Sequence, residues 1–331
     1  MRAVTYRRFG LAKDVLELGE HPEARPAEGE VRVALTYSAV NPSDVKRRAS
    51  ARPGIDGSAF DRVCPHSDGA GVIEAVGDGV DPTRLGERVW IWNGHWQRTW
   101  GTAAQKITLP AAQAVPLPDT VSFETGASLG IPGLTAAHCV LGDGPVTGKC
   151  VLVHGGAGNV GFLAVQLAKW SGAKVIATAS PRDFGRCRGA GADAVIDYRS
   201  DQLATEILAA ANGQPVDRIV EVEFGLNIDT DVEVIAPNGV ISVYGSQKEQ
   251  TPTLPFYPLL FKAVTVEFAL IYILADAPRR KAIDNLHAAL TEGALTCPVD
   301  RVFPLSQTAL AHESVERGAR SGATLIDVND G

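Results

Sequence analysis

Apolar and polar residues alternate with a period of two through the first third of the chain. Val31-Arg-Val-Ala-Leu-Thr-Tyr37 reads as a half-buried strand. Residues 69–77 form an apolar run bounded by glycines, and Arg88-Val-Trp-Ile-Trp92 reads as a third strand. Pro22, Pro26, Gly29, Gly77, Gly79, Pro82 and Gly86 punctuate these runs. No helical pattern here is long enough to build strand–helix–strand units, so residues 1–110 predict a β-rich domain.

Near residue 122 the periodicity changes. Ser122 is a suitable N-cap for a helix that starts at Glu124. Predicted strands at 151–153, 174–179, 194–197, 218–222 and 239–245 then alternate with helical segments at 160–171, 186–190, 202–211 and 232–235. That alternation predicts a doubly wound parallel sheet. The tail predicts a helix over 280–292 closed by Gly293, a strand near Val302 and a helix over 305–317. The simplest layout is a nucleotide-binding module inserted into a β-rich domain: residues 1–122, then 123–265, then a return segment 266–331.

Composition narrows the class. At 331 residues the chain exceeds what one hydrophobic core usually supports, so two domains are expected. Hydrophobic content of 45% and charged content of 21% suit a globular enzyme. A net charge of −7 argues against nucleic acid or an anionic membrane as partner. The short basic runs Lys46-Arg47-Arg48 and Arg279-Arg280-Lys281 read as solvated faces. Cysteines at 64, 139, 150, 187 and 297 show no C-x-x-C spacing and are odd in number. They predict neither a disulfide framework nor a structural zinc site. The first residues lack a signal-peptide core, and the longest apolar stretch, 268–275, is too short to span a bilayer. The expected location is cytoplasmic.

The chemistry centres on His154-Gly155-Gly156-Ala157-Gly158-Asn159-Val160-Gly161, directly after an apolar strand. Gly156, Gly158 and Gly161 give G-x-G-x-x-G with a helical pattern behind it, the strand–turn–helix context of a dinucleotide site. A pyrophosphate sits against the first turn of such a helix, where N–H groups are free, and glycines let it approach. The alternative is a tight turn without a ligand. The second strand ends at Ser180, where an NAD-preferring fold usually carries an acid. Ser180 and Arg182 would accept a 2′-phosphate by charge-assisted hydrogen bonds, which favours NADPH. Tyr198 and Arg199 would add a ring for adenine and a second charge. The alternative for Arg182 and Arg186 is a coat on a surface helix.

Several ordered pieces carry a resemblance: Met1-Arg-Ala-Val, Val40-Asn-Pro-Ser-Asp, Ser67-Asp-Gly-Ala-Gly-Val, Gly86-Glu-Arg-Val, Ile131-Pro-Gly-Leu-Thr-Ala, the glycine turn, Ala190-Gly-Ala-Asp and Val243-Tyr-Gly-Ser. Together they resemble the medium-chain dehydrogenase/reductases, specifically the zinc-free quinone oxidoreductase branch that includes zeta-crystallin. The resemblance implies an α/β fold: a GroES-like β-rich catalytic domain plus a Rossmann domain, with the active site in the cleft between them. It implies NADPH as cofactor, with further contacts from Tyr244, Gly245, Ser246, Phe268 and Leu270. The implied activity is reduction of a quinone or, alternatively, of an α,β-unsaturated carbonyl compound. It also implies a homodimer through the last Rossmann strand, near Val264–Tyr272.

The resemblance implies no metal. Zinc-dependent relatives place a Cys at or beside Asn41 and a His-Glu pair at Ser67-Asp68. Cys64, His66 and Asp68, spaced by two, could share one face of an extended segment, yet no fourth ligand is evident. Without zinc, hydrogen-bond donors must stabilise charge developing on the substrate oxygen. The candidates are Asn41, Lys46 and Thr135, with turn-making before Pro42 as the other role of Asn41 and a solvated side chain as the other reading of Lys46. Lys46 stands where relatives usually carry Tyr. Four of five tryptophans fall within residues 90–100, and Trp92 and Asn93 are the candidate substrate contacts; a hydrophobic plug is the alternative. His95 is a possible proton donor, or a surface loop residue. Relatives often read Gly-Lys near the last strand, where this chain has Ser321-Gly-Ala-Thr, and Glu221-Val-Glu-Phe-Gly is more acidic than the usual strand end.

Overall fold

The alternation at residues 31–37 becomes the centre of a long strand. In chain order the first elements are β1 (Arg2–Thr5), α1 (Ala12–Val15), β2 (Glu17–Glu20), β3 (Glu30–Val40), α2 (Pro42–Arg48), β4 (Asp68–Val76), β5 (Arg88–Ile91), β6 (Lys106–Pro110), β7 (Ala114–Pro116) and α3 (Phe123–Ala127). Strand β3 pairs antiparallel with both β4 and β6, so Val33 lies opposite Ile73 on one side and Ile107 on the other. These three side chains are buried in one core with Val31, Leu35, Val89 and Leu109. The computed structural model describes residues 1–50, 61–318 and 320–330.

The predicted alternation beyond residue 122 is present and longer than expected. It runs α4 (Ile131–Leu141), β8 (Cys150–Val153), α5 (Asn159–Trp170), β9 (Lys174–Ala179), α6 (Phe184–Gly189), β10 (Ala194–Asp197), α7 (Leu203–Ala210), β11 (Val216–Glu221), α8 (Phe224–Val234), β12 (Ile235–Val243), α9 (Phe256–Phe261), β13 (Thr265–Phe268) and α10 (Asp276–Thr291). The strands form one sheet in the order β10-β9-β8-β11-β12-β13, every neighbouring pair parallel. Both faces are covered, so the strands are near-continuous apolar runs, as parallel sheets require. Leu152, Ile176, Ile219 and Ile241 are buried in its core.

The chain then returns through β14 (Val299–Pro304), α11 (Thr308–Arg317) and β15 (Ala323–Asp327). Strand β15 pairs antiparallel with β3, which completes a seven-stranded sheet.

Two compact units result: residues 1–131 with 297–331, and residues 132–296. The boundaries therefore fall later than the predicted 122 and 266. Helix α10 belongs to the second unit because its neighbours hold it there. The Gln166 amide brackets Thr296, accepting from its N at 2.9 Å and donating to its O at 3.0 Å, and Trp170 donates to Glu292 at 2.7 Å.

Other departures have local causes. Helix α8 extends far beyond the predicted 232–235, because Asn227, Asp229 and Asp231 hide its period. Helix α4 has no polar face, since every residue from Pro132 to Leu141 is buried, and so no amphipathic signal. The strand expected to reach Tyr272 stops at Phe268 and gives way to a 3₁₀ turn at Ile271–Ile273. Among the described residues no helix is long and apolar enough to cross a membrane.

Candidate functional site

In the second unit, β8 delivers the chain into a turn whose glycines are sterically required. Gly155 adopts φ +65°, which L side chains rarely tolerate. A Cβ on Gly156 would stand 2.8 Å from the Ala177 Cβ on β9. One on Gly161 would stand 2.2 Å from the Gly155 carbonyl oxygen. The helix α5 starts at Asn159 with Gly158 as N-cap, so no side chain caps its first turn. The N–H groups there point outward without intrahelical partners. Val160 lies in that first turn. Arg186 does more than coat its helix: its Nε donates to the Ala157 carbonyl at 3.1 Å, and its guanidinium lies 4.2 Å from the Phe162 ring centroid.

At the end of β9 the pair Ser180 and Arg182 gains a third member. Ser180 caps a 3₁₀ turn, and its hydroxyl donates to Asp183 Oδ2 at 2.5 Å. Arg182 Nε donates to the same oxygen at 3.2 Å. The hydrogen bond from Ser180 holds the Asp183 carboxyl below its ordinary range. An acid therefore does stand at this strand end, three residues beyond Ser180. Tyr198 is 48% exposed and carries Arg199 over its ring at 5.5 Å.

At the end of β12, the Tyr244 N–H donates to the Glu221 carbonyl at 2.9 Å. Gly245 passes so close to β11 that a Cβ would meet the Val222 carbonyl oxygen at 2.5 Å. The Ser246 hydroxyl accepts from Gly225 N at 2.8 Å and donates to the Glu249 carbonyl. Phe268 and Leu270 are exposed, and the Phe268 ring meets Phe224 edge-on. Thr135 is buried on α4 in this same unit.

Directly beneath the glycine turn lies a group that the motif alone does not reveal. His154, Glu221 and Asp231 are all but fully buried. His154 Nε2 is 3.0 Å from Asp231 Oδ1 and 3.6 Å from Glu221 Oε2. Its Nδ1 lies 3.1 Å from Thr178 Oγ1, which also accepts from Gly155 N at 3.2 Å. Burial opposes the imidazolium, but the two carboxylates outweigh it and push His154 up to about 9. Burial pushes Glu221 up to about 7.

The first unit holds Asn41, Lys46, Trp92 and Asn93. Asn41 is the N-cap of α2, followed by Pro42, and its N–H donates to Asp44 Oδ2 at 2.8 Å. Its Nδ2 donates to Asp68 Oδ2 at 2.8 Å, and the Ile131 N–H reaches the same oxygen at 2.8 Å. Asn41 is thus a turn-maker held in one orientation by a buried carboxyl. Burial raises Asp68 well above the usual carboxylate range. Lys46 is half-buried on α2 rather than fully solvated. Strand β5 ends at Ile91; Trp90 on it is fully buried, and Trp92, just beyond it with its N–H donating to the Gln113 carbonyl at 3.3 Å, is half-buried. Asn93, also buried, takes φ +52° and turns the chain there. His95 is buried instead of lying on the surface, and burial pulls its ring well below the ordinary range. Arg47 on α2 donates to the His95 carbonyl at 3.1 Å.

A buried polar chain runs beside these residues, and its hydrogens have one consistent direction. Thr102 donates to the Asp68 carbonyl at 2.6 Å, so it accepts from Ser38 at 2.8 Å. Ser38 must then accept from His66 Nδ1 at 2.9 Å, and His66 Nε2 must accept from His312 Nε2 at 2.8 Å. His66, pulled down to about 3 by burial, is neutral as this direction requires. The Cys64 thiol is pushed up to about 12 by burial, and Sγ donates toward the Gly101 carbonyl. Cys64, His66 and Asp68 thus each bond a different partner, and their ligand atoms do not converge on one point.

Comparison with known proteins fits both units. Residues 27–119 match the alcohol dehydrogenase GroES-like domain, and residues 159–287 match the zinc-binding dehydrogenase family. A phenolphthiocerol/phthiocerol polyketide synthase of Mycobacterium tuberculosis is 30% identical over 322 residues, 95% of this chain. The chain spans 14% of that protein's length. Human quinone oxidoreductase is 29% identical over 335 residues, covering 98% of this chain and 96% of its own. An NAD-dependent alcohol dehydrogenase superposes with a TM-score of 0.84 at 28% identity, covering 99% of this chain and 100% of its own. A mycobacterial protein complexed with NADPH superposes with a TM-score of 0.86 at 25% identity, again over 99% and 100%.

Proposed function

Because this chain belongs to the medium-chain dehydrogenase/reductase superfamily, in its quinone oxidoreductase branch, we propose that it is an NADPH-dependent quinone reductase that works without zinc. The observation that carries the reading is the glycine turn. Its close contacts allow nothing larger than hydrogen at Gly156 and Gly161, and the uncapped first turn of α5 offers its free N–H groups to a pyrophosphate. NADPH supplies a hydride from the nicotinamide ring when bound.

Ser180 and Arg182 favour NADPH, as does the NADPH-bound mycobacterial neighbour. Asp183 beside them and the NAD-dependent neighbour favour NADH, so the cofactor preference is the first quantity to measure. The protein's own part in the reaction is to hold donors where oxygen charge develops. Asn41 fits, since one Nδ2 hydrogen is committed to Asp68, which fixes the plane of the amide and the direction of the other hydrogen. Thr135 is the donor candidate of the cofactor-binding unit. Lys46 supplies positive charge, and Trp92 and Asn93 line the substrate side. The lack of a convergent ligand set at Cys64, His66 and Asp68 supports the zinc-free reading. Lys46 in place of the usual Tyr favours a second reading, reduction of a polar α,β-unsaturated carbonyl compound.

The same reading assembles two chains through β13, the outer strand of the parallel sheet. Phe256, Tyr257, Leu260, Phe261 and Phe268, on α9 and β13, are exposed and supply apolar surface that a second chain would cover.

The deciding assay is steady-state oxidation of NADPH with 1,2-naphthoquinone, 9,10-phenanthrenequinone and 2-cyclohexenone. Turnover of the quinones supports the first reading, and turnover of cyclohexenone alone supports the second. NADPH binding without turnover of any of the three would overturn both. Equal affinity of the wild type for NADPH and NADH would overturn the cofactor assignment.

A further inference from the structure

We propose that His154, Glu221 and Asp231 form a proton-linked clamp under the glycine turn, so that cofactor binding draws a proton onto Glu221 and weakens as pH rises. The proposal rests on the reading of that turn as the pyrophosphate site.

The physical connection is direct. His154 is the residue before Gly155, and Thr178 Oγ1 bonds both the His154 ring and the Gly155 N–H. The imidazole orientation and the first backbone group of the turn therefore share one oxygen. From below, Asp231 on α8 and Glu221 at the end of β11 fix the opposite ring nitrogen. Glu221 is tied in turn to the Glu223 N–H and to Asn227 Nδ2 at 3.0 and 3.1 Å. Asp231 Oδ2 has no hydrogen-bond partner among the described residues. The cluster thus holds more acceptors than it satisfies.

Charge counting gives the sign. With the imidazole protonated and both carboxyls ionised, the buried cluster carries one net negative charge. Protonating Glu221 makes it neutral. In a poorly screened interior, one negative charge beneath the turn repels an anion bound on top of it. An incoming pyrophosphate therefore favours the neutral cluster, and Glu221 is the member whose titration lies nearest pH 7. The groups facing Glu221 are His154 after β8, Asp231 on α8 and Tyr244 after β12, with Cys139 on α4 acting on Tyr244. Burial drives the phenol and the thiol upward, so both stay neutral in this range and add no competing charge.

The test is NADPH binding to the intact protein by calorimetry from pH 7 to pH 8.5. Above pH 7 the cofactor's own 2′-phosphate is already ionised, its second pKa being about 6. The expected result is a Kd that rises at least threefold over this range, with net proton uptake seen as a dependence of the heat on buffer ionisation enthalpy. Glu221→Gln removes this group and leaves His154 facing Asp231 alone, so its profile should depart from the wild type's, with proton uptake at pH 7.5 reduced. If that variant does not fold, the wild-type buffer dependence decides alone: no proton uptake at pH 7.5 overturns the proposal. A wild-type profile that superimposes on that of Glu221→Gln also overturns it, while leaving the cofactor site intact. Failure to bind NADPH or NADH at any pH would instead strike the underlying reading.

Discussion

Gly161→Ala tests the glycine turn with a single methyl group. The added Cβ would lie 2.2 Å from the Gly155 carbonyl oxygen and 2.9 Å from the Gly156 Cα. Relief requires the turn and the start of α5 to separate by roughly 0.8 Å, taking about 3.0 Å as the closest tolerable approach. Both colliding groups are backbone, so no side chain can swing aside. Overpacking of this kind typically costs about 1–3 kcal/mol. The free protein can relax by opening the turn, but rebuilding the cradle around a pyrophosphate restores the strain, so the cost falls mainly on binding. At about 1.4 kcal/mol per tenfold, the Kd for NADPH should rise roughly 5- to 150-fold. Titration of NADPH fluorescence measures this, with circular dichroism and thermal melting as controls for folding. A natively folded Gly161→Ala protein that binds NADPH within twofold of wild type would refute the reasoning, because the close approach would then serve packing and not the ligand.

Three further outcomes are expected. Arg186→Ala removes the hydrogen bond to Ala157 and the stacking on Phe162; the side chain is partly open to water, so native stability should fall by about 1 kcal/mol, read as a Tm lower by about 2–4 °C. Asp68 is raised well above its ordinary range by burial, so its native carboxyl binds a proton that the unfolded chain releases above about pH 4. Native stability therefore falls as pH rises toward the raised value, and Asp68→Asn should remove that loss; its Tm relative to wild type should climb between pH 5 and pH 8.5, and a flat difference would contradict the buried protonated form. Phe261→Lys places a charge on exposed apolar surface beside β13; if the proposed two-chain assembly forms, sedimentation should show wild type as two chains and the variant as single chains at micromolar concentration, with the circular dichroism unchanged.

What could be read from the chain, and what could not, separates along the range of the interactions. The parallel sheet was legible because each strand is a short apolar run between turn residues, a property of neighbours in sequence. The glycine turn was legible for the same reason: the collisions that require hydrogen at Gly156 and Gly161 are with the adjoining strand or with the turn itself. Asp183 shows the limit even at short range, because only a 3₁₀ turn at Pro181–Asp183 brings its carboxylate back onto Ser180. Long-range partners left no trace. His66 meets His312 across 246 residues, and His154 meets Asp231 across 77. No periodicity marks such pairs, since a buried polar residue looks like an interruption of an apolar pattern until its partner is known. Helix α4 was missed for the converse reason, because complete burial erases the polar face on which recognition of a helix depends. The same distinction orders the site. The turn that holds a cofactor is a local device and can be recognised wherever its spacing occurs. The groups that tune it, Arg186 above and the His154–Glu221–Asp231 cluster below, arrive from separate strands and helices of the unit. Their effect on affinity therefore depends on the fold holding β8, β9, β11 and α8 in register, and it should be lost before the sheet unfolds whenever one of those elements is loosened.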